Sequence, residues 1–268
     1  MIDYIVRYGC CEEPFDKNSK DIYVENREST EIQKRLSFLQ ATNGIGLLTG
    51  APGMGKTKNV RYWAGKLPES RYKVVYSALS TITPQEFYRQ LVSGLDGIPA
   101  YKKTANYAII QKEIIRLNKE QHITPVIILD EANHFGSGIL NDLKIIMNFD
   151  MDTKAYAIVL LVGLPILNNT LRLSVHESLR QRIVMNYNAG GLSDDETRLY
   201  IKGRLKGAGC RQEVFDENAL EAIAGASKGV PRMINKICSR SMIIGNSRKK
   251  DLIDSDIIRE AVEDIQLG

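Results

Sequence analysis

The stretch that decides the fold is Gly50-Ala51-Pro52-Gly53-Met54-Gly55-Lys56-Thr57, which fits the pattern G-x-x-x-x-G-K-[ST]. An apolar run at 45–49 precedes it, and a helix-compatible stretch that opens on Lys58 follows it. In such a strand–loop–helix, glycines let backbone N–H groups close around phosphates, and the positive end of the helix points at them. We therefore predict an ATP-binding loop formed by Gly50 to Lys58, in which Lys56 reaches the β- and γ-phosphates and Thr57 ligands Mg²⁺.

A second motif supplies the carboxylates that phosphoryl transfer needs. Four apolar residues at 126–129 lead into Asp130 and Glu131. A buried strand that ends in acids brings charge to the carboxyl edge of a sheet, where α/β folds bind ligands. We predict that Asp130 holds Mg²⁺ through its water shell, and that Glu131 orients and deprotonates the attacking water.

The apolar pattern predicts an α/β fold in which a parallel sheet lies between two helical layers. Runs at 45–49, 72–79, 125–130, 157–162 and 183–187 alternate with helical patterns, and several are apolar on both faces, as in strands covered by helices. One such helix opens on a capping box, Thr83-Pro84-Gln85-Glu86. This three-layer nucleotide-binding domain is predicted to span residues 1–190.

The strand runs stop after Gly191, and helix starts take their place. They are a capping box from Ser193 to Glu196, a cap at Asp216, Pro231, and the acidic cluster 254–256. Residues 191–268 are therefore predicted to form a small all-helical lid domain.

Composition narrows the class of protein without naming it. The chain has 268 residues and a net charge of +4, from 36 basic and 32 acidic residues, which is too mild to argue for nucleic acid. No run of eighteen apolar residues and no signal peptide are visible, so we expect a cytoplasmic protein without a membrane span. The four cysteines, Cys10, Cys11, Cys210 and Cys238, lack metal-ligand spacing and are expected to be buried or incidental thiols.

Hydrolysis of a γ-phosphate also needs a positive charge at the transition state. Arg180 and Arg182 lie just before the last predicted strand, at the edge of the α/β domain, where an arginine can reach the nucleotide of a neighbouring subunit. Arg232 follows Gly229-Val230-Pro231 at a predicted helix start in the lid, where it can act within its own subunit.

With these motifs in place, the chain resembles an AAA+ ATPase of the ExeA/TniB/IstB-like group, related to the transposition regulator TnsC and the phage Mu target-selection ATPase. The segments that carry this resemblance are Glu13-Pro14-Phe15, 44–50, 72–76, 86–91, Asp130-Glu131-Ala132, 179–183 and 231–235. The resemblance implies that Arg182 is the arginine finger, with Arg180 as the second choice, and that Arg232 is the sensor-2 arginine. Leu164 stands where relatives carry the polar sensor-1 residue. Because leucine is apolar, Asn168 is the alternative candidate for the sensor-1 role.

The resemblance also implies a function. The chain shows neither the membrane span nor the wall-binding domain of the secretion branch, and looks like the helper ATPases that accompany DDE-type transposases. Such helpers assemble on double-stranded DNA with ATP, as a ring or a helical filament, and recruit the transposase. Two alternatives stay open: an envelope, secretion-type or signalling ATPase that acts on protein partners, and a replication initiator or helicase loader.

We expect sequence-tolerant contact with the DNA backbone, since no helix-turn-helix is evident. The predicted DNA-facing segment is Tyr101-Lys102-Lys103-Thr104, because Lys102, Lys103 and Thr104 can donate to phosphates without reading bases. The cluster Arg248-Lys249-Lys250 in the lid is a weaker candidate.

Overall fold

A five-stranded parallel sheet forms the centre of the α/β unit, with strand order β2-β3-β4-β1-β5. The computed structural model describes residues 3–16, 22–78, 81–149 and 155–266. The strands are β1 Gly44–Gly50, β2 Tyr72–Ser77, β3 Thr124–Leu129, β4 Ile158–Gly163 and β5 Ile183–Ala189. The central strands β1, β3 and β4 are buried almost throughout, as expected where helices cover both faces of a parallel sheet. The predicted α/β fold is confirmed; residue 79 of the second predicted run lies outside the described residues.

Helices cover this sheet on both faces. They are α2 Arg27–Thr42, α3 Lys56–Ala64, α4 Pro84–Gly94, α5 Lys103–Ile115 with a π-helical turn at Arg116–Glu120, α6 Ser137–Ile146, α7 Ile166–Arg172 and α8 Glu177–Arg180. On one face, Phe87 of α4 and Ile110 of α5 join a buried cluster with Ile127, and each such side chain contributes about 1.5–3 kcal/mol. On the other face, α2 lies close to β1, since a Cβ on Gly46 would lie 2.4 Å from Leu39.

A second compact unit is helical and contains residues 190–266. Its helices after the sheet are α9 Asp194–Gly207, α10 Glu217–Ser227, α11 Pro231–Ser247 and α12 Ser255–Gln266. The predicted starts hold in detail: Ser193 and Glu196 form a capping box, and the Asp216 side chain accepts from the Ala219 N–H. These caps satisfy backbone donors that the first helical turn leaves without partners.

The N-terminal segment also belongs to the helical unit. The described residues 3–16 and 22–30, with α1 at Asp3–Arg7, group with residues 190–266, whereas the sequence analysis placed them in the α/β domain. Arg204 of α9 is buried, and its guanidinium donates to the main-chain carbonyls of Pro14 at 2.7 Å and Ile22 at 3.1 Å. These partners lie far apart in sequence, so no local pattern could reveal the grouping.

The expectation of incidental thiols was wrong for two cysteines. Cys10 and Cys210 form a disulfide across a sequence separation of 200 residues, within the helical unit. Cys238 is a buried thiol and Cys11 is exposed. Neither disulfide partner has a neighbouring cysteine at a diagnostic spacing, and their proximity depends on how the N-terminal segment packs.

In the part of the chain that the structure describes, no helix is long and apolar enough to cross a membrane.

Candidate nucleotide-binding site

The glycine-rich loop follows β1 and leads into α3. Gly53 and Gly55 have φ angles of 83° and 80°, which glycine adopts at no steric cost because it lacks a Cβ. The Lys56 ammonium donates to the carbonyls of Gly50 at 2.7 Å and Ala51 at 3.1 Å. The helix begins at Lys56, so its first-turn amides lie at the loop, as an anion site requires. Pro52 of the loop is exposed, while Met54 and Lys58 are half-buried.

Asp130 lies directly after β3 and is held by three donors. Its side chain is buried, with 5% of the residue exposed. Oδ2 accepts from the Thr57 hydroxyl at 2.9 Å and from the Tyr76 hydroxyl at 3.0 Å, while Oδ1 accepts from the Glu131 N–H at 2.9 Å. The structure thus brings together Thr57 and Asp130, which are 73 residues apart in sequence.

The Thr57–Asp130 pair suits Mg²⁺. A hydroxyl and a carboxylate are hard oxygen donors, and Mg²⁺ is bound by one or two such groups together with waters and substrate phosphates. Because their oxygens lie 2.9 Å apart, both can face one small cation. The residues assigned from the sequence therefore fit the metal.

Glu131 is exposed and lies in the left-handed region, with φ 53° and ψ 35°. A non-glycine residue pays a steric cost there, and such residues concentrate at functional sites. The backbone then enters a 3-10 turn at Ala132–His134, where the Asn133 Oδ1 accepts from the Leu164 N–H at 2.9 Å. This bond ties the turn after β3 to the end of β4. The carboxylate is thus placed in solvent beside Asp130, where a water can reach it.

Tyr76 is a residue of the candidate site that the sequence analysis did not identify. It lies on the edge strand β2, is 53% exposed, and donates its hydroxyl to Asp130. Desolvation and the Asp130 charge raise the pKa of Tyr76 to about 12, so the phenol keeps its proton and remains a donor at neutral pH. The β2–β3 register pairs Tyr76 with Ile128, which is two residues before Asp130. Without that register, the sequence does not indicate that the Tyr76 side chain reaches Asp130.

Replacing Tyr76 with phenylalanine should lower the apparent affinity for Mg²⁺ by about tenfold, so that nucleotide binding needs a correspondingly higher Mg²⁺ concentration. A loss of this size is typical when the hydrogen-bond partner of a metal ligand is removed. The reason is that Asp130 would lose one of the donors that orient its carboxylate. A fluorescent ATP analogue titrated at several Mg²⁺ concentrations measures this. Tyr72→Phe, on the same strand, is the matched control. If Tyr76→Phe binds nucleotide at the same Mg²⁺ concentrations as wild type, the hydrogen bond from Tyr76 does not position Asp130.

The sensor-1 candidate Asn168 lies beside the start of the glycine-rich loop. Its Nδ2 donates to the Thr49 hydroxyl at 2.8 Å, and that hydroxyl donates to the Asn188 side chain at 2.9 Å. Thr49 is buried and immediately precedes Gly50. Leu164 contributes its main-chain N–H to Asn133. Asn168 is therefore a polar group near the loop, although it lies on α7 and not directly after β4.

The two edge arginines are anchored to main-chain carbonyls. Arg180 is exposed and donates to the carbonyl of Arg172 at 3.0 Å. Arg182 is half-buried and donates to the carbonyl of Lys144, at the end of α6, at 2.6 Å. These bonds tie the Arg180 guanidinium to the end of α7 and the Arg182 guanidinium to α6. A role for either in the nucleotide site of a neighbouring subunit stays a prediction.

Arg232 lies in the first turn of α11, in the helical unit. That compact unit also contains residues Gly53–Gly55 of the loop, and the Arg232 N–H donates to the carbonyl of Gly53 at 3.3 Å. The bond involves main-chain atoms only, so the sensor-2 role of its guanidinium stays a prediction.

The predicted DNA-facing residues lie at the start of α5 and differ in their surroundings. Lys102 and Thr104 are exposed. Lys103 forms an ion pair with Asp142, with Nζ 2.6 Å from Oδ2, and lies over the Tyr88 ring. In the lid cluster, Arg248 pairs with Glu260, and Lys250 pairs with Asp254. Lys103 thus has a structural contact that Lys102 does not share.

Comparison with known proteins identifies the type of domain that contains these residues. Residues 39–171 match the family model described as AAA domain. The chain is 30% identical over 266 residues to general secretion pathway protein A of Aeromonas hydrophila. That match covers 97% of this chain and 48% of the relative, so the chain spans about half its length.

Solved structures show the same architecture. Cdc6p from Pyrobaculum aerophilum superposes with a TM-score of 0.71 at 17% identity, covering 92% of this chain and 69% of that one. Drosophila ORC bound to DNA gives 0.70 at 18% identity, covering 97% and 65%. At these identities the likeness shows the fold alone.

The five-stranded parallel sheet, the flanking helices and the AAA domain matched at residues 39–171 give this chain an AAA+ fold. Within that class, the chain is similar to general secretion pathway protein A. The AAA+ fold that the sequence predicts is thereby confirmed. The similarity to general secretion pathway protein A supports the predicted resemblance to the ExeA-like group, while the transposition-helper role within that group stays a prediction.

Proposed function

We propose that this chain is a Mg²⁺-dependent AAA+ ATPase that oligomerises on double-stranded DNA, as a ring or helical filament, and regulates transposition in the cytoplasm by recruiting a DDE-type transposase. The observation that carries the ATPase half is the Asp130 carboxylate, held by Thr57 and Tyr76 beside the exposed Glu131. The transposition half is supported by the sequence resemblance and by the exposed basic start of α5.

The chemistry follows from the residues in place. Lys56 and the loop amides would bind the β- and γ-phosphates, and Thr57 and Asp130 would hold Mg²⁺, which would supply neutralisation of the phosphate charge. Glu131 accepts a proton from the water that attacks the γ-phosphorus. The leaving ADP carries away the bridging oxygen. Arg182 of one subunit stabilises the charge on the phosphoryl oxygens in its neighbour, and Arg232 does so within its own subunit.

A second function is favoured by a specific observation. The relative at 30% identity is general secretion pathway protein A, which supports a secretion-type ATPase that acts on protein partners. An initiator or helicase loader is the third candidate, since Drosophila ORC shares the fold. Duplex binding separates the first function from the second, and indifference to origin sequence and to a helicase separates it from the third.

Duplex DNA binding should require ATP, show little sequence preference and fall steeply with salt, because many phosphate contacts release counterions together. Lys102→Ala should weaken binding by the same factor on all DNA sequences. It should also reduce the slope of log affinity against log salt concentration by about 1 for each phosphate contact that is lost. Fluorescence anisotropy over a salt series, with ATP, ADP or no nucleotide, measures both effects.

Lys103→Ala is a separate variant in this experiment. It removes the partner of the buried Asp142 carboxylate, which destabilises the fold, so its thermal unfolding must be measured beside its DNA affinity. If the protein fails to bind duplex DNA in all three nucleotide conditions at low salt, the transposition function is wrong and the protein-partner ATPase replaces it.

A further inference from the structure

The outer edge of strand β2 has no partner strand among the described residues. β2 comes first in the strand order and pairs with β3 alone. The carbonyls of Arg71 and Ser77 accept N–H bonds from the β3 side of the sheet, at 2.7 and 2.9 Å. In a parallel pair, alternate residues make these bonds, so the main-chain groups of Val74 and Tyr76 face away from β3. Such an edge can pair with a strand of another chain.

The usual protections of an edge strand are missing from β2. Edges are commonly blocked by proline, by an outward charge, or by a covering helix or loop. Val74 and Tyr76 are 40% and 53% exposed, so no described segment covers them. β2 contains no proline, and its one charged residue, Lys73, forms an ion pair with Asp96, just beyond the end of α4. The outward main-chain groups are therefore accessible to a partner.

A groove of about 460 Å³ lies beside this edge, between β2 and α4. The Ser77 hydroxyl donates to Oε1 of Gln90 at 3.1 Å, and both residues line the groove. Arg89 is exposed and is the one charged residue in this lining. Glu86, one turn earlier on α4, keeps its charge, but its carboxylate accepts from the N–H and hydroxyl of Thr83 and lies outside the lining. The charge inside the groove is thus positive.

We propose that an extended segment of a partner protein adds to β2 as a sixth strand and places an acidic side chain in the groove, against Arg89. Main-chain bonds to Val74 and Tyr76 supply affinity, and the groove selects the side chain that alternates onto the α4 face. A carboxylate fits there because it can accept charge-assisted hydrogen bonds from the guanidinium. This inference goes beyond the proposed ATPase and DNA-binding functions and depends on neither.

The first test selects peptides from a displayed library of random sequences of about twelve residues, long enough to form a strand of usual length. It uses the full chain without nucleotide or DNA. Wild-type protein should enrich peptides that alternate apolar residues with an acidic one. By NMR, the enriched peptides should protect the Val74 and Tyr76 amides from hydrogen exchange. The amides of Lys73 and Val75, which face β3, should exchange slowly with or without peptide.

Variants then locate the bound peptide. Val74→Pro removes an outward N–H and takes no donor from the β2–β3 ladder. Enriched peptides should bind it about tenfold more weakly, since one peptide carbonyl loses its donor. Val74→Thr keeps the N–H and is the matched control. Arg89→Ala should weaken binding by about tenfold as well, but only for peptides that carry the acid, and Arg89→Lys should restore most of this loss. Thermal unfolding shows whether each variant is folded.

The inference is overturned if no peptide is enriched, if enriched peptides bind Val74→Pro as tightly as wild type, or if the outward amides stay unprotected. Should Val74→Pro not fold, the amide exchange of wild-type protein decides. Peptides that protect these amides yet bind Arg89→Ala unchanged would overturn the acidic partner. If wild-type protein self-associates in sedimentation and Val74→Pro does not, the occupant is a second copy of this chain. ATP hydrolysis and duplex binding are measured separately, so failure of the proposed function leaves these results intact.

Discussion

Replacing Glu131 with glutamine is expected to lower the rate of ATP hydrolysis by about 10²–10⁴-fold, the usual contribution of a positioned general base, and to leave ATP affinity unchanged. Glutamine has the same shape but accepts a proton far more weakly, so the attacking water is no longer activated. The substitution does not disturb Asp130, because Glu131 contributes only its main-chain N–H to that carboxylate. Steady-state phosphate release and equilibrium binding of a fluorescent ATP analogue measure the two quantities.

Lys56→Ala provides the contrast for this prediction. The ammonium lies at the centre of the loop, against the carbonyls of Gly50 and Ala51, so its loss should weaken nucleotide binding itself. A Glu131→Gln protein that hydrolyses ATP at the wild-type rate would show that another group activates the water. The neighbouring acid in the sequence, Asp130, is an unsuitable substitute because it is buried, accepts three hydrogen bonds and is the proposed metal ligand.

The architecture was predictable because local patterns encode it. A strand buried on both faces must be apolar throughout, so each predicted run appears as a strand with ends shifted by one or two residues. Helix starts need a side-chain acceptor for their first amides, and Thr83 and Ser193 provide it where expected. The glycine-rich loop needs positive φ at Gly53 and Gly55, which only the glycine pattern could indicate.

The features that escaped the sequence all depend on contacts between distant residues. Tyr76 reaches Asp130 because β2 pairs with β3, whereas tyrosine is enriched in strands in general and so marks no site by itself. Cys10 meets Cys210 because the N-terminal segment packs within the helical unit. Lys103 resembles its neighbour Lys102 in the sequence, yet only Lys103 faces the buried Asp142 of α6. Hydrophobic periodicity and helix-capping patterns describe local structure only, so they do not predict contacts between residues that are distant in sequence.

Each of the two edge arginines makes a hydrogen bond within its own subunit, which a substitution would also remove. Arg182→Ala removes a guanidinium and also a hydrogen bond to the Lys144 carbonyl, so lost activity alone would not prove a role at a neighbouring nucleotide. Arg180→Ala likewise removes a bond to the Arg172 carbonyl. A test for action between subunits must therefore restore activity without restoring the missing side chain.

Mixing two inactive variants provides that test. Arg182→Ala is expected to reduce hydrolysis by about 10³-fold, at the lower end for an arginine finger, with ATP affinity per subunit preserved. When Arg182→Ala and Glu131→Gln subunits are mixed equally, about a quarter of the head-to-tail interfaces in an oligomer should pair an intact Glu131 with an intact neighbouring Arg182. Hydrolysis should then rise far above that of either variant alone. The measurement is phosphate release against the mixing ratio.

Arg232→Ala is the matched control, because a residue that acts within its own subunit cannot be complemented in this way. In its mixture with Glu131→Gln, no subunit carries both intact groups, so hydrolysis should stay low at every ratio. Rescue of Arg180→Ala in place of Arg182→Ala would move the finger to the more exposed arginine. Rescue of Arg232→Ala, with none for either edge arginine, would reverse the assignment. The nucleotide of one subunit would then be completed by the helical unit of the next.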